Sequence, residues 1–278
     1  MRVERARVMG FCPGVRRAVR LAEESAAAGE SVFVLGKLVH NDRVVARLVN
    51  LGVRELDEAG IAALPPGAVV VIRSHGAAPA VFQALRAVGA RVVDATCPKV
   101  AANQRAAAAA GGRAIVIAGD RGHGETTALA AHAPGSVIVS SAEEAASVRV
   151  DDPAALVAQT TFSAAEYGAV REVLTRRFPA LADLGGICDA TASRQEALRE
   201  LCARVDAVVV VGGVDSANTR RLAELAVALG KPAWRVGTAA DLPPDIAAYD
   251  VVGLTAGAST PGEAIDEVER ALFAMAAP

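Results

Sequence analysis

Val92-Val-Asp-Ala-Thr-Cys-Pro98 runs from a short apolar strand into the start of a helix, with Cys97 at the junction. The chain repeats this arrangement about a third of its length away on either side. Cys12 lies in Val8-Met-Gly-Phe-Cys-Pro-Gly-Val15, and Cys188 in Gly185-Gly-Ile-Cys-Asp-Ala-Thr191. A cysteine in such a place faces the N–H groups of a helix N-terminus, which favour its thiolate. Three of them, one per third of the chain, suggest one shared ligand at a pseudo-threefold centre.

Outward from these junctions, strand-like and helical patterns alternate along the whole chain. Strands are expected at 31–35, 68–73, 91–94, 113–118, 136–139, 155–158, 207–211, 233–236 and 251–254. Helices are expected at 15–28, 42–50, 80–88, 100–110, 164–177, 193–203, 219–229 and 261–275. This alternation predicts an α/β fold with largely parallel sheets, whose ligands collect beyond the carboxyl ends of the strands. Gly52 and Gly230 stand just past apolar helical faces and read as helix stops.

Composition narrows the function. The 278 residues suffice for a large core, and 53% hydrophobic with 22% charged residues is an ordinary globular balance. A net charge of -2 supplies no field for nucleic acid or an anionic membrane, and 3% aromatics leave few stacking platforms. The N-terminal stretch lacks a signal-peptide core, and no apolar run approaches the roughly 20 residues of a membrane span. The chain therefore reads as cytoplasmic, with reduced thiols and neither nucleic acid nor membrane as a partner.

Distant cysteines in such a chain suit a metal or a catalytic role better than a disulfide. Packing alone is the plain alternative, since a thiol is a small hydrophobe. Zinc usually shows close Cys-x-x-Cys pairs, which are absent. An iron–sulfur cluster accepts thiolates from distant segments, and three cysteines would leave one iron open to substrate. Cys202, inside a helical pattern, reads as packing. Three of the four histidines, His40, His75 and His123, stand in Gly/Ser/Asn-flanked loops after strands, where imidazole can donate to phosphate. His132 has no such setting and reads as structural. Polar loops at Gln159-Thr-Thr-Phe-Ser163, Val211-Gly-Gly-Val-Asp-Ser-Ala-Asn-Thr219 and Thr255-Ala-Gly-Ala-Ser-Thr-Pro261 offer N–H groups and hydroxyls, as ordinary helix caps also do. Glu125 reads as a loop carboxylate: solvated, or, in a closed pocket, a proton donor of raised pKa. There is no Walker A motif and no dinucleotide fingerprint.

Taken in order, Gly10-Phe-Cys-x-Gly-Val15, Val39-His-Asn41, Ser74-His-Gly76, Asp94-Ala-Thr-Cys-Pro98, Gly122-His-x-Glu125, Gln159-Thr-Thr161, Ile187-Cys-x-Ala-Thr191 with Arg194-Gln195, and Gly257-Ala-Ser259 resemble the 4-hydroxy-3-methylbut-2-enyl diphosphate reductase family. The resemblance implies a trefoil of three α/β lobes around a central iron–sulfur site, with lobes at 14–97, 98–184 and 185–278 plus 1–13. It implies one [4Fe-4S] cluster per chain on Cys12, Cys97 and Cys188. His40, His75, His123, Ser216, Asn218 and Ser259 match the residues that hold an allylic diphosphate. Glu125 matches the carboxylate that delivers protons, with Thr160 and His123 beside it. Electrons would come from a ferredoxin or flavodoxin, and the products would be isopentenyl and dimethylallyl diphosphates. The chain departs from the family at Asp215 and Ala217, where asparagine and serine are usual, and at Gly124, where proline is common. Asp215 puts a carboxylate near the expected anionic ligand: pointing into the pocket it would oppose diphosphate binding, and the alternatives are that it points outward or caps the next helix.

Overall fold

A computed structural model describes residues 1–276. The chain opens with β1 (Arg2–Arg5) and α1 (Pro13–Ala27). Then come β2 (Val32–Leu35), α2 (Asp42–Asn50), β3 (Arg54–Leu56), β4 (Val69–Ile72), α3 (Pro79–Ala87) and β5 (Arg91–Asp94). They are followed by α4 (Pro98–Ala108), β6 (Ala114–Ala118), α5 (Gly124–His132), β7 (Val137–Val139), α6 (Ala142–Ser147), β8 (Ala154–Ala158), α7 (Ala164–Arg177) and β9 (Ala182–Gly185). The last stretch holds α8 (Asp189–Cys202), β10 (Ala207–Val211), α9 (Ala217–Ala228), β11 (Ala233–Val236), β12 (Val251–Ala256) and α10 (Gly262–Met275).

The strands form three four-stranded parallel sheets, ordered β3-β2-β4-β5, β7-β6-β8-β9 and β11-β10-β12-β1. The α/β class expected from the alternation is the one the chain adopts. All three sheets share one internal order, in which the first and third strands of the set lie side by side at the centre. The chain leaves those two strands in opposite directions, so their carboxyl ends bound a crevice. The last sheet takes its fourth strand from the start of the chain, with Arg2 paired to Val251 and Arg5 to Leu254.

Central strands read clearly because both faces are buried. In β10, Val208 and Val210 pack with Leu198, Leu201 and Leu222, while Val209 and Val211 pack with Leu254, Ile265 and Val268. Three strands escaped the sequence reading, β1, β3 and β9, and each is an edge strand. Their sequences, Arg-Val-Glu-Arg, Arg-Glu-Leu and Ala-Asp-Leu-Gly, are short and charged, as exposed edges tend to be. Backbone pairing with the neighbouring strand, not an apolar pattern, makes them strands. Helices α5 and α6 were also unexpected. In α5, Gly-Glu-Thr-Thr-Ala-Leu-Ala-Ala-His lacks a clear apolar stripe. The glycine stops are in place, with Gly52 at φ +82 and Gly230 at φ +78, a region where side chains are strained.

The chain divides into two compact units. One comprises Met1–Arg16, Val39–Ala46 and Asp189–Pro278, and holds the β11-β10-β12-β1 sheet. The other comprises Arg17–Leu38 and Arg47–Cys188, and holds the other two sheets.

Candidate functional site

In the two-sheet unit, the chemistry gathers after the central strands β4, β6 and β8. Glu125 is not in a loop, as its glycine-flanked sequence suggested, but in the first turn of α5. His123 is the N-cap, and its Nδ1 accepts the Glu125 N–H at 3.2 Å. In a neutral ring that bond places the proton on Nε2, which is then a donor. The His75 ring, which follows β4, lies 4.9 Å from the His123 ring, centroid to centroid. Both imidazoles are half-buried.

Glu125 is 1% exposed. Its Oε1 accepts the Thr160 N–H at 2.6 Å, and its Oε2 accepts the Thr160 hydroxyl at 2.9 Å. Burial pushes its pKa up to about 7, against the opposing pull of the two Thr160 hydrogen bonds. Gln159 braces the same crevice: its Oε1 accepts from Asp120 N at 2.8 Å, and its Nε2 donates to Thr161 Oγ1 at 2.8 Å. A Cβ at Gly119 would meet Thr126 and Gln159 at 2.6 and 2.8 Å, so glycine there allows β6 and α5 to close on the amide.

Sequence reasoning missed two residues here. Gln104 on α4 donates to the His75 carbonyl at 3.3 Å; its signal was a pair of buried amides, Asn103-Gln104, in an alanine-rich helix. Arg73 lines a cavity of about 300 Å³, and its Nε is buried without a hydrogen-bond partner. A Cβ on Gly124 would stand 2.9 Å from its Nη2, so the guanidinium occupies space that a residue with a side chain would contest.

In the one-sheet unit, polar groups follow β10 and β12. Ser216, not Asp215, caps α9 and accepts the Thr219 N–H at 3.3 Å. Asp215 is exposed, which matches the outward alternative. Ser259 lies 3.4 Å from the His40 carbonyl and 3.5 Å from Ser216 Oγ. Asn218 is buried, and its Nδ2 has no hydrogen-bond partner, a donor suited to an anionic ligand. A Cβ at Gly213 would strike the His40 carbonyl at 2.2 Å, so this approach requires glycine.

Each of the three junction cysteines follows the fourth strand of a sheet set: Cys12 after β1, Cys97 after β5 and Cys188 after β9. All three are half-buried and immediately precede a helix. Val15 N–H points to Cys12 Sγ at 3.4 Å, and Cys97 is the N-cap of α4 with proline next. Cys188 N–H donates to the Thr160 carbonyl at 3.0 Å. Thiolates at helix N-termini fit the soft, anionic donors that an iron–sulfur cluster needs. Among the described residues, no group of three or more His, Cys, Asp or Glu is arranged to hold a single metal ion. Cys202 is buried, and burial raises its thiol pKa, as a packing residue should show. His132 reaches the Ala77 carbonyl at 3.3 Å, consistent with its structural reading.

Three parallel sheets with helix-terminal cysteines, phosphate-type donors and a buried titratable carboxyl describe an α/β enzyme of the iron–sulfur oxidoreductase class. The chain belongs to the LytB protein family, whose sequence model matches residues 3–273. It is 43% identical, over 98% of its length and 99% of the relative's, to a 4-hydroxy-3-methylbut-2-enyl diphosphate reductase of Treponema denticola. A solved E-1-hydroxy-2-methyl-but-2-enyl-4-diphosphate reductase of Plasmodium falciparum superposes with a TM-score of 0.90 at 26% identity, covering 97% of this chain and 87% of that one. A second solved structure, described as (E)-4-hydroxy-3-methyl-but-2-enyl diphosphate reductase, the terminal enzyme of the non-mevalonate pathway, superposes with a TM-score of 0.71 at 33% identity, covering 99% and 100%. No described helix is long and apolar enough to cross a membrane.

Proposed function

We propose that this chain reduces (E)-4-hydroxy-3-methylbut-2-enyl diphosphate, with two electrons and two protons, to isopentenyl and dimethylallyl diphosphates and water. The observation that carries the reading is the Glu125–Thr160 pair: a buried carboxyl with a pKa of about 7, bonded to the residue whose carbonyl receives the Cys188 N–H. Departure of an allylic hydroxyl as water requires a proton donor of this kind near neutral pH.

Cys12, Cys97 and Cys188 would hold a [4Fe-4S] cluster, one per chain. When bound, such a cluster supplies electrons one at a time and an open iron as Lewis acid. The chain's own residues handle the anion and the protons. His40, His75, His123, Ser216, Asn218 and Ser259 bind and orient the diphosphate, with His123 offering Nε2–H and Asn218 its unpartnered Nδ2. A proton on Glu125 Oε2 reverses the bond to Thr160: Oε2 then donates to Oγ1, and the hydroxyl hydrogen of Thr160 turns outward to substrate. Ferredoxin or flavodoxin is the electron donor in this reading, in the cytoplasm, with lobes at 14–97, 98–184 and 185–278 plus 1–13.

Anaerobic turnover of the hydroxymethylbutenyl diphosphate with a strong artificial reductant tests the reading. The expected result is both five-carbon diphosphates. A cluster-loaded chain that consumes none of that substrate overturns it.

A further inference from the structure

Arg17, Asn103 and Arg194 occupy matching places: each lies in the second turn of the helix that follows a junction cysteine, α1 after Cys12, α4 after Cys97 and α8 after Cys188. Each donates to a backbone carbonyl just before the next junction cysteine in the series. Arg17 Nη2 reaches the Asp94 carbonyl at 3.1 Å, and its Nη1 the Thr96 carbonyl at 3.4 Å, three residues and one residue before Cys97. Asn103 Nδ2 reaches the Ala158 carbonyl at 3.0 Å and the Gly186 carbonyl at 3.4 Å, the latter two residues before Cys188. Arg194 Nη2 reaches the Gly10 carbonyl at 2.5 Å, two residues before Cys12, and its Nη1 anchors to the Ala190 carbonyl at 2.8 Å. The series runs from the first helix to the second cysteine, from the second helix to the third cysteine, and from the third helix back to the first.

The local backbone is shaped for these contacts. Gly10 has φ +76, a conformation that strains other residues. A Cβ at Gly185 would come within 2.4 Å of Asn103 Oδ1, so only glycine lets that amide approach. At Cys97 the turn is held a second time, because Asp94 Oδ1 accepts both the N–H of Thr96 at 2.9 Å and its hydroxyl at 2.5 Å. Asn103 and Arg194 are 2% and 3% exposed, and a polar group is costly to bury unless it is hydrogen-bonded, which these carbonyls provide. One such bond would be ordinary. Three at the same helical turn, each aimed at the segment before a cysteine, are a recurring device.

We infer that Arg17, Asn103 and Arg194 are positioning residues that hold the cysteine-bearing segments in their ligating conformation before a cluster is present. Pinning the carbonyl one to three residues upstream fixes the backbone that aims each sulfur. Thiolates placed in advance lose less conformational freedom when they ligate. Partners behind a ligand typically change metal affinity by about 10- to 100-fold. This inference rests on the cluster reading for Cys12, Cys97 and Cys188.

The test uses the full chain, reconstituted anaerobically, with the variants Arg17→Met, Asn103→Leu and Arg194→Met. Two quantities are read: the rate at which a chelator strips iron, and the thermal unfolding of the metal-free chain. Each variant should release iron about tenfold faster than wild type, with an altered spectrum of the reduced cluster. Metal-free unfolding should be unchanged in Arg17→Met, whose side chain is half-exposed. If Arg194→Met fails to fold, Arg194→Lys, which keeps the charge but can reach only one carbonyl, should show intermediate release. Wild-type release rates in Arg17→Met and Asn103→Leu would overturn the inference. So would faster release matched by an equal loss of metal-free stability, which would make these residues mere packing. A wild-type chain that takes up no cluster would overturn the parent reading, and this one with it.

Discussion

The helix starts at α5 and α9 are built alike and chemically opposed. Each follows the first strand of its sheet set, and each has a side-chain cap, His123 in one and Ser216 in the other. Both helices carry their key polar residue at the second helical position. At α5 that residue is Glu125, a buried carboxyl that accepts two bonds from Thr160. At α9 it is Asn218, a buried amide whose N–H donor has no partner. Even the first helical position differs: Gly124 leaves room for the Arg73 guanidinium, while Ala217 is simply buried. The same backbone motif thus presents a buried, satisfied carboxyl in one unit and a buried, unpartnered amide donor in the other, suited to the proton-handling and anion-binding roles proposed above. The difference lies in one side chain and in whether its hydrogen bonds are already satisfied.

The sharpest way to break this comparison is Glu125→Gln, which keeps the shape and removes the titrating proton. Turnover should fall by about 10²–10⁴-fold, the usual worth of a general acid or base, while the cluster absorbance stays that of wild type. Wild-type turnover in the variant would leave α5 with no chemical distinction from α9. Asn218→Leu should act on binding instead: KM for the diphosphate should rise by about 10-fold, as for one lost hydrogen bond to a charged group, with kcat changing less. A variant in which kcat falls and KM holds would move Asn218 to the proton-handling side.

Ionisation of Glu125 provides a third test. Its folded pKa, about 7, lies above that of an exposed carboxyl, so the folded chain holds the proton more tightly than the unfolded chain. The stabilisation from that proton is complete below the ordinary carboxylate range and is lost as pH rises through about 7. The loss should amount to roughly 3 kcal/mol. Urea unfolding of the metal-free chain at pH 5 and pH 8 should show it in wild type and not in Glu125→Gln. The proposed role of the acid form as donor predicts that turnover declines over the same interval. An identical pH dependence of stability in the two proteins would remove Glu125 as its source.

The smallest effect is expected at the first helical position. Gly124→Ala gains helix propensity but places a Cβ 2.9 Å from Arg73 Nη2, the free end of a flexible chain. The two influences oppose each other, so the net change in stability should stay within about 1 kcal/mol. Combined with Arg73→Ala the substitution should become stabilising, a non-additivity that thermal unfolding of the single and double variants would measure. Additive effects would mean the guanidinium does not constrain position 124.

Several of these features are legible in the sequence. The strands at 207–211 and 251–254 were readable because both faces are buried and the sequence is continuously apolar. The junction cysteines and the histidine loops were readable because their neighbours are short, polar and glycine-rich. The edge strands β1, β3 and β9 were not, since their charged sequences become strands only when paired. The sequence of α5 is too evenly small and polar to show a helical stripe, so it reads as a loop around Glu125.

By itself the sequence determined the α/β class, the helix stops and the placing of the cysteines at strand-to-helix junctions, all of which are written in local pattern. Tertiary structure alone decided that β1 completes the last sheet, that Glu125 is sealed from water against Thr160, and that Arg17, Asn103 and Arg194 each clamp the segment before a cysteine. The physical reason is the same in each case. Pairing, desolvation and side-chain-to-carbonyl bonds depend on groups far apart along the chain, and no local window of sequence contains both partners.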